Sequence, residues 1–260
     1  MEFRPCIDIH NGKVKQIIGS SLQEEASKVL ENFVSQQDAA FYARLYAEKG
    51  IKGGHVILLN PERSEYYQAT RAQALSALSA YPGGLQAGGG IHPGNAAEYL
   101  DAGASHVIVT SYVFRDGRIR FDHLEELVRE VGKERLVLDV SCRRTGEGYR
   151  VMTDRWQKMS GERISCGLLD GLSAYCGEFL IHAVDAEGRA EGIELELVKL
   201  LGEWGKIPVT YAGGVRGLED IRTLRELGKN RLHVTVGSAL DLFGGTLSME
   251  QILRYIHQFD

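Results

Sequence analysis

Short runs rich in valine, isoleucine and leucine recur along the chain, separated by longer segments whose apolar residues fall at helical spacing. This is the pattern of repeated βα units and a parallel sheet. The runs predict eight strands, at Phe3–Ile9, His55–Leu59, Gly84–Ala87, His106–Thr110, Arg135–Val140, Phe179–Ala183, Pro208–Ala212 and His233–Val236. The helical periods predict helices at Ala39–Lys49, Glu65–Ala80, Asn95–Ala102, His123–Val131, Ile193–Trp204, Leu218–Leu227 and Met249–Phe259. Most of the strands are apolar on both faces, as required where helices cover one side and packed side chains the other. Eight such units in one chain fit a single (β/α)8 TIM barrel over residues 1–260 better than an open doubly wound sheet. Two connections are longer than a barrel needs, Asn11 to Gln37 and Ser141 to Ser160. Both are read as functional loops, because each follows the carboxy-terminal end of a strand, the face on which barrel enzymes build their sites.

Composition narrows the function classes. With 43% hydrophobic and 25% charged residues the chain has the material for a packed core. A net charge of −5 argues against a general nucleic-acid binder, so an anionic partner has to be held locally. No apolar run approaches the roughly 20 residues that cross a bilayer, and Met1-Glu2-Phe3-Arg4 enters a strand rather than a signal peptide. A cytosolic protein without membrane contact is the expectation. Cys6, Cys142, Cys166 and Cys176 lack metal-ligand spacing and the histidines form no His-x-x-x-His pattern, so neither a metal site nor a disulfide framework is expected.

The carboxylate of Asp8, inside the apolar run Cys6-Ile7-Asp8-Ile9, has a counterpart in Asp139 of Val137-Leu138-Asp139-Val140. Two further segments repeat at a similar offset. Leu85-Gln86-Ala87-Gly88-Gly89-Gly90-Ile91 matches Val209-Thr210-Tyr211-Ala212-Gly213-Gly214-Val215, and His106-Val107-Ile108-Val109-Thr110-Ser111 matches His233-Val234-Thr235-Val236-Gly237-Ser238. The three ordered matches describe a half-barrel occurring twice, over about 1–132 and 133–260. Two equivalent halves set the first and fifth strands opposite each other, so Asp8 and Asp139 face one another across the mouth, as a general base and a general acid require. A Gly-Gly after a strand lets backbone N–H groups approach an anion, and the Ser after the next strand is read as opening a helix whose N-terminus adds donors. Gly88 and Gly89 with Thr110 and Ser111 are thus expected to hold one phosphate, and Gly213 and Gly214 with Gly237 and Ser238 another. The expected partner is a long, doubly phosphorylated small molecule, handled by a monomer. Gly88-Gly89-Gly90-Ile91-His92-Pro93 lacks the spacing of a dinucleotide site, and no cofactor is expected.

The segment Cys6-Ile7-Asp8-Ile9-His10-Asn11-Gly12-Lys13-Val14-Lys15-Gln16, together with Asp139-Val140-Ser141-Cys142-Arg143, Ala212-Gly213-Gly214-Val215 and Gly237-Ser238-Ala239-Leu240-Asp241, resembles the phosphoribosylformimino-5-aminoimidazole carboxamide ribotide isomerases of histidine biosynthesis. Phe179-Leu180-Ile181-His182-Ala183-Val184-Asp185-Ala186-Glu187-Gly188 looks like the eukaryotic branch. The resemblance implies an Amadori rearrangement with Asp139 as acid and Asp8 as base at the ribose C2. It also implies that Trp156 covers the substrate's imidazole, while Lys15 is a candidate to reach a phosphate. Where bacterial members carry Thr, Asp and Arg, this chain has Ala183, Asn60 and His92, and His182, Asp185 or Arg189 are candidates to replace the lost contacts. The cyclase of the same pathway shares the two aspartates, and a phosphosugar-binding barrel without catalysis is the remaining alternative.

Overall fold

A computed structural model describes residues 1–17, 31–186 and 192–259. The first half of the chain runs β1 (Cys6–His10), β2 (Lys13–Ile17), β3 (Glu31–Val34), α1 (Ala39–Glu48), β4 (Gly54–Leu58), α2 (Tyr67–Ala80), β5 (Leu85–Gly88), α3 (Pro93–Asp101), β6 (Val107–Val109), β7 (Phe114–Arg115), β8 (Arg118–Ile119) and α4 (Phe121–Val131). The second runs β9 (Leu136–Thr145), β10 (Gly148–Thr153), β11 (Lys158–Arg163), α5 (Cys166–Leu172), β12 (Glu178–Ala183), α6 (Leu195–Trp204), β13 (Val209–Ala212), α7 (Leu218–Leu227), β14 (Leu232–Val234) and α8 (Met249–His257). Among the described residues twelve strands form one sheet, flanked by eight helices, and the eight strands β1, β4, β5, β6, β9, β12, β13 and β14 pair in parallel in that order.

Side-chain alternation gives the parallel strands two buried faces. Residues such as Ile7, Val56, Ala87, Val107, Leu138 and Ile181 pack outward into the large core shared with the helices. A second cluster holds Ile108, Val137, Leu180 and Ala212, with Ile57 against it. These five residues come from β6, β9, β12, β13 and β4, strands that are not all neighbours, so the sheet is curled about them. At its two ends, the Arg4 N–H donates to the Val234 carbonyl over 2.8 Å and the Val234 N–H to the Glu2 carbonyl over 3.0 Å, in a parallel bridge between Phe3 and Val234. Near the amino-terminal ends of the strands, buried Arg4 donates to Glu178 and, over 3.1 Å, to Thr210 Oγ1, while Gln86 Nε2 donates to Glu178 Oε2 over 3.1 Å. The charge pair is thus satisfied inside the sheet, as a buried pair must be.

The eight predicted strands and seven predicted helices are all present; Leu218–Leu227 keeps its expected bounds, and each of the others has at least one end shifted by one to a few residues, the end fraying that local rules resolve poorly. Helix α5 escaped the prediction because seven residues barely complete two turns; its start is set by Ser165, whose hydroxyl accepts the Leu168 N–H. The larger correction concerns the two long connections. The second is β-structure, with β9 extended to Thr145 and paired with β10, which pairs in turn with β11. The first contributes β2 and β3, antiparallel to each other and joined to β1 through the turn at Asn11 and Gly12, both at positive φ. Asn-Gly at the two central positions is the preferred chemistry of such a hairpin. Asn60 secures it, accepting the Asn11 N–H over 2.7 Å and donating to Asn11 Oδ1 over 2.8 Å. Among the described residues no helix is long and apolar enough to cross a membrane.

Candidate active site

A cavity of about 630 Å³ opens at the carboxy-terminal ends of the parallel strands, within the roughly 300–1,000 Å³ usual for small-molecule sites. Asp8 of β1 and Asp139 of β9 both line it. Asp8 pairs in register with Ile57 of β4, one of the interior side chains, and Asp139 with Leu180 of β12, another, so each carboxylate occupies the inward face of its strand. Gln16 of β2 folds back through the first hairpin and donates from Nε2 to Asp8 Oδ2 over 3.3 Å. Neither composition nor spacing singles out Gln16; the Asn11-Gly12 turn is the sequence signal that brings β2 back over β1.

The glycine pairs divide differently from the sequence expectation. Gly213 and Gly214 have φ of 116° and 76°, and the pair with the same sense is Gly89 and Gly90, at 95° and 72°. All four line the cavity, and Gly88 does not. Gly88 sits instead within β5, where a Cβ would lie 2.9 Å from Ile57 Cδ1 and 3.0 Å from Ile108 Cβ. It holds the place that Ala212 holds in β13, so its small size serves interior packing, and the glycine pair that faces the cavity begins one residue later. Thr110, Ser111, Gly237 and Ser238 also line the cavity. After each pair the chain makes the same turn, the Val113 N–H donating to the Thr110 carbonyl and the Leu240 N–H to the Gly237 carbonyl, each over 3.0 Å. The helices expected directly after Ser111 and Ser238 are absent there. The β7–β8 hairpin intervenes before α4 in one case, and a single 3₁₀ turn, Asp241–Phe243, follows in the other.

His182 of β12 lines the cavity with its Nδ1 2.9 Å from Asp139 Oδ1. Trp156, at the tip between β10 and β11, also lines it, with its ring centroid 6.4 Å from that of His182. Asp154, Arg155 and Trp156 take φ of 53°, 55° and 67°, three successive left-handed residues that are not glycine. Each costs about 1–2 kcal/mol relative to the right-handed region, so the tip is held by its contacts. Asp154 supplies several, accepting the Thr153 hydroxyl over 2.7 Å and the backbone N–H groups of Asp116 and Gly117 over 3.2 and 3.4 Å. Arg63 and Arg155 also line the cavity, neither flagged by sequence motif.

Lys15 is buried in β2 and does not line the cavity, because the alternation that turns Gln16 toward Asp8 sends its neighbour elsewhere. Asp185 is likewise spent outside the cavity, accepting from Arg143 Nε over 2.9 Å. Arg189 lies outside the described residues. His92 does line the cavity but caps α3, its Nδ1 accepting the Gly94 N–H over 3.1 Å while Nε2 meets Glu62 Oε1 at 3.0 Å. His55, fully buried at the cavity floor, is held neutral to about pH 3 by burial, reinforced by the charge of Arg4. Among the described residues no three His, Cys, Asp or Glu side chains are grouped to hold a metal ion.

Residues 2–247 match the model of a family described as histidine biosynthesis protein. A chloroplastic 1-(5-phosphoribosyl)-5-((5-phosphoribosylamino)methylideneamino)imidazole-4-carboxamide isomerase from Medicago truncatula is 50% identical, over 99% of this chain and 82% of the relative. Isomerases of the same name from Neurospora crassa and Saccharomyces cerevisiae are 46% and 40% identical, over 94% and 95% of this chain and 93% and 94% of theirs.

Proposed function

The chain belongs to the histidine biosynthesis protein family, and we propose that it catalyses the reaction for which its plant and fungal relatives are named. That reaction is the conversion of an aminoaldose bisphosphate (ProFAR) to the aminoketose (PRFAR), an Amadori rearrangement. The observation that carries the reading is that Asp8 and Asp139 share one cavity with two glycine–hydroxyl cradles. The bridge between Phe3 and Val234 and the five-strand interior cluster support a closed single (β/α)8 barrel over residues 1–260. The paired positive φ values and repeated turns support its division into two half-barrels. The four free thiols suit a reducing setting such as the cytosol.

In this scheme Gly89 and Gly90 with Thr110 and Ser111 bind one phosphate, and Gly213 and Gly214 with Gly237 and Ser238 bind the other, stretching the substrate between the aspartates. Asp139 gives a proton to the ring oxygen as the C1–oxygen bond breaks, leaving a protonated Schiff base at C1. Asp8 removes the C2 proton, and its electron pair forms the C1–C2 double bond of an enolamine. Return of a proton to C1 and loss of one from the C2 hydroxyl give the ketose. The chemistry is proton transfer throughout, and no cofactor is invoked. The test is a spectrophotometric assay of purified protein with the aminoaldose, the downstream synthase and glutamine being present to consume the ketose. Turnover without added ammonia that vanishes in Asp8→Asn supports the isomerase. Ammonia-dependent turnover of the ketose alone identifies the cyclase, and binding without product identifies a phosphosugar-binding barrel.

A further inference from the structure

The contact between His182 Nδ1 and Asp139 Oδ1, 2.9 Å long, joins side chains that are only about 20% and 16% exposed. Strand register produces it. Leu180 lies opposite Asp139 in the parallel β9–β12 pair, and His182, two residues on, returns to the same inward face. Trp156 packs toward the same imidazole, its ring centroid 6.4 Å away and its plane inclined at 47° to that of His182. The tip that carries Trp156 is itself fixed to the β7–β8 turn through Asp154 and Thr153, whose Oγ1 accepts the Gly117 N–H over 3.0 Å. A continuous set of contacts therefore runs from the β7–β8 turn, through the indole and the imidazole, to the carboxyl group of Asp139.

We propose that His182 is a positioning residue for Asp139, and that Trp156 clamps His182 so that seating of the β10–β11 tip and readiness of the acid are a single event. The inference rests on the isomerase reading above. Fixing Oδ1 fixes the direction of Oδ2, the oxygen from which the proton leaves for the substrate ring oxygen. The Nδ1–H stays on the imidazole and donates to the carboxylate that forms as that proton departs. Because the carboxylate develops during the transfer, this hydrogen bond strengthens toward the transition state and raises kcat more than it tightens binding.

The experiment compares His182→Ala with His182→Asn, whose side-chain amide places a donor near the position of Nδ1, by steady-state kinetics with the aminoaldose bisphosphate. Thermal melting and calorimetric substrate binding are measured on both. His182→Ala is expected to lose about 10- to 100-fold in kcat with KM changed less than about threefold, and His182→Asn to recover most of the loss. The double variant Trp156→Ala/His182→Ala is expected to lose less than the product of the single losses. A His182→Ala enzyme with unchanged kcat, or an Asn variant no better than Ala at equal melting temperature, overturns the positioning role, and strictly multiplicative losses overturn the clamp. Failure of the wild-type protein itself to turn over the aldose overturns the isomerase reading, so the two failures are distinguishable.

Discussion

Gln16 Nε2 donates to Asp8 Oδ2 over 3.3 Å, so the carboxylate in the middle of the first strand is oriented by the strand that follows it through a two-residue turn. The role proposed for Asp8, removal of a proton from carbon, gains from such a tether, since the direction of attack is set before substrate arrives. Asp8→Asn is expected to lower kcat by about 10²–10⁴-fold with substrate affinity nearly intact, and Gln16→Leu by about tenfold. Parallel kcat and calorimetric Kd measurements check both. A Gln16→Leu enzyme whose whole loss lies in Kd would remove the tether from the account.

In each proposed phosphate cradle one glycine lies where the neighbouring backbone leaves no room for a side chain. A Cβ on Gly89 would collide with the Leu58 carbonyl and one on Gly214 with the Gly192 carbonyl, and both residues have positive φ. Gly89→Ala and Gly214→Ala are each expected to raise KM at least about tenfold and to cost about 2 kcal/mol or more in stability. Gly90 has positive φ but open space around it, so Gly90→Ala should show the conformational strain alone, about 1 kcal/mol. Chemical denaturation of the three variants ranks them, and equal costs would contradict the packing argument.

Sequence patterning identified the parallel framework because its signal is local: a strand buried on both faces reads as a continuous apolar run whatever surrounds it. Asp8 and Asp139 were legible through the internal repeat, and both line the cavity. Gly88 and Gly89 read as the pair because any two of three successive glycines, Gly88 to Gly90, suit a tight turn by sequence; the φ values give Gly89 and Gly90 the backbone of Gly213 and Gly214, and Ile57 packs against Gly88. The hairpins were read as loops since Lys13–Ile17 and Lys158–Arg163 alternate polar residues without a long apolar run. Lys15 and Gln16 could not be told apart by motif; only the register of β2 says which faces the site. The contact between His182 and Asp139 depends on pairing across 43 positions, which periodicity does not encode.

Removal of the indole in Trp156→Ala leaves a strained tip without the ring that packs toward His182. A rise in KM or a fall in kcat of about tenfold is expected, with melting temperature little changed because the tip lies over the cavity and outside the core. Steady-state kinetics with stopped-flow binding separates the two effects. Unaltered rates would mean that the indole packs without assisting the reaction.

Arg4 and Glu178 form a charge pair inside the sheet, their side chains 9% and 5% exposed. Removing one partner strands the other, so Arg4→Met and Glu178→Leu are each expected to cost about 3–5 kcal/mol, while the double variant should recover a large part. Urea unfolding of all three gives the coupling directly. Additive single losses would show that Thr210 and Gln86, rather than the partner charge, satisfy each group.

One buried histidine, His55, and one partly buried, His233, set an acid limit on stability. Burial and Arg4 depress the pKa of His55 to about 3, and burial with the same arginine depresses His233 to about 4, against a partial opposing effect of Glu2. His233 Nδ1 accepts the Glu2 N–H over 3.1 Å, a contact that protonation of that nitrogen abolishes. Well above pH 6.5 both groups are neutral in the folded protein and in the unfolded chain alike, so they leave stability independent of pH there. Below about pH 6.5 the unfolded chain binds the protons first, and stability falls as pH decreases until the folded pKa values are reached. The limiting slope is about 1.4 kcal/mol per pH unit for each histidine. His233→Asn, which keeps an acceptor for the Glu2 N–H, should flatten the decline between about pH 6.5 and 4. Denaturation midpoints across that window, measured for wild type and variant, check the sign; parallel curves would show that His233 is charged in the folded state.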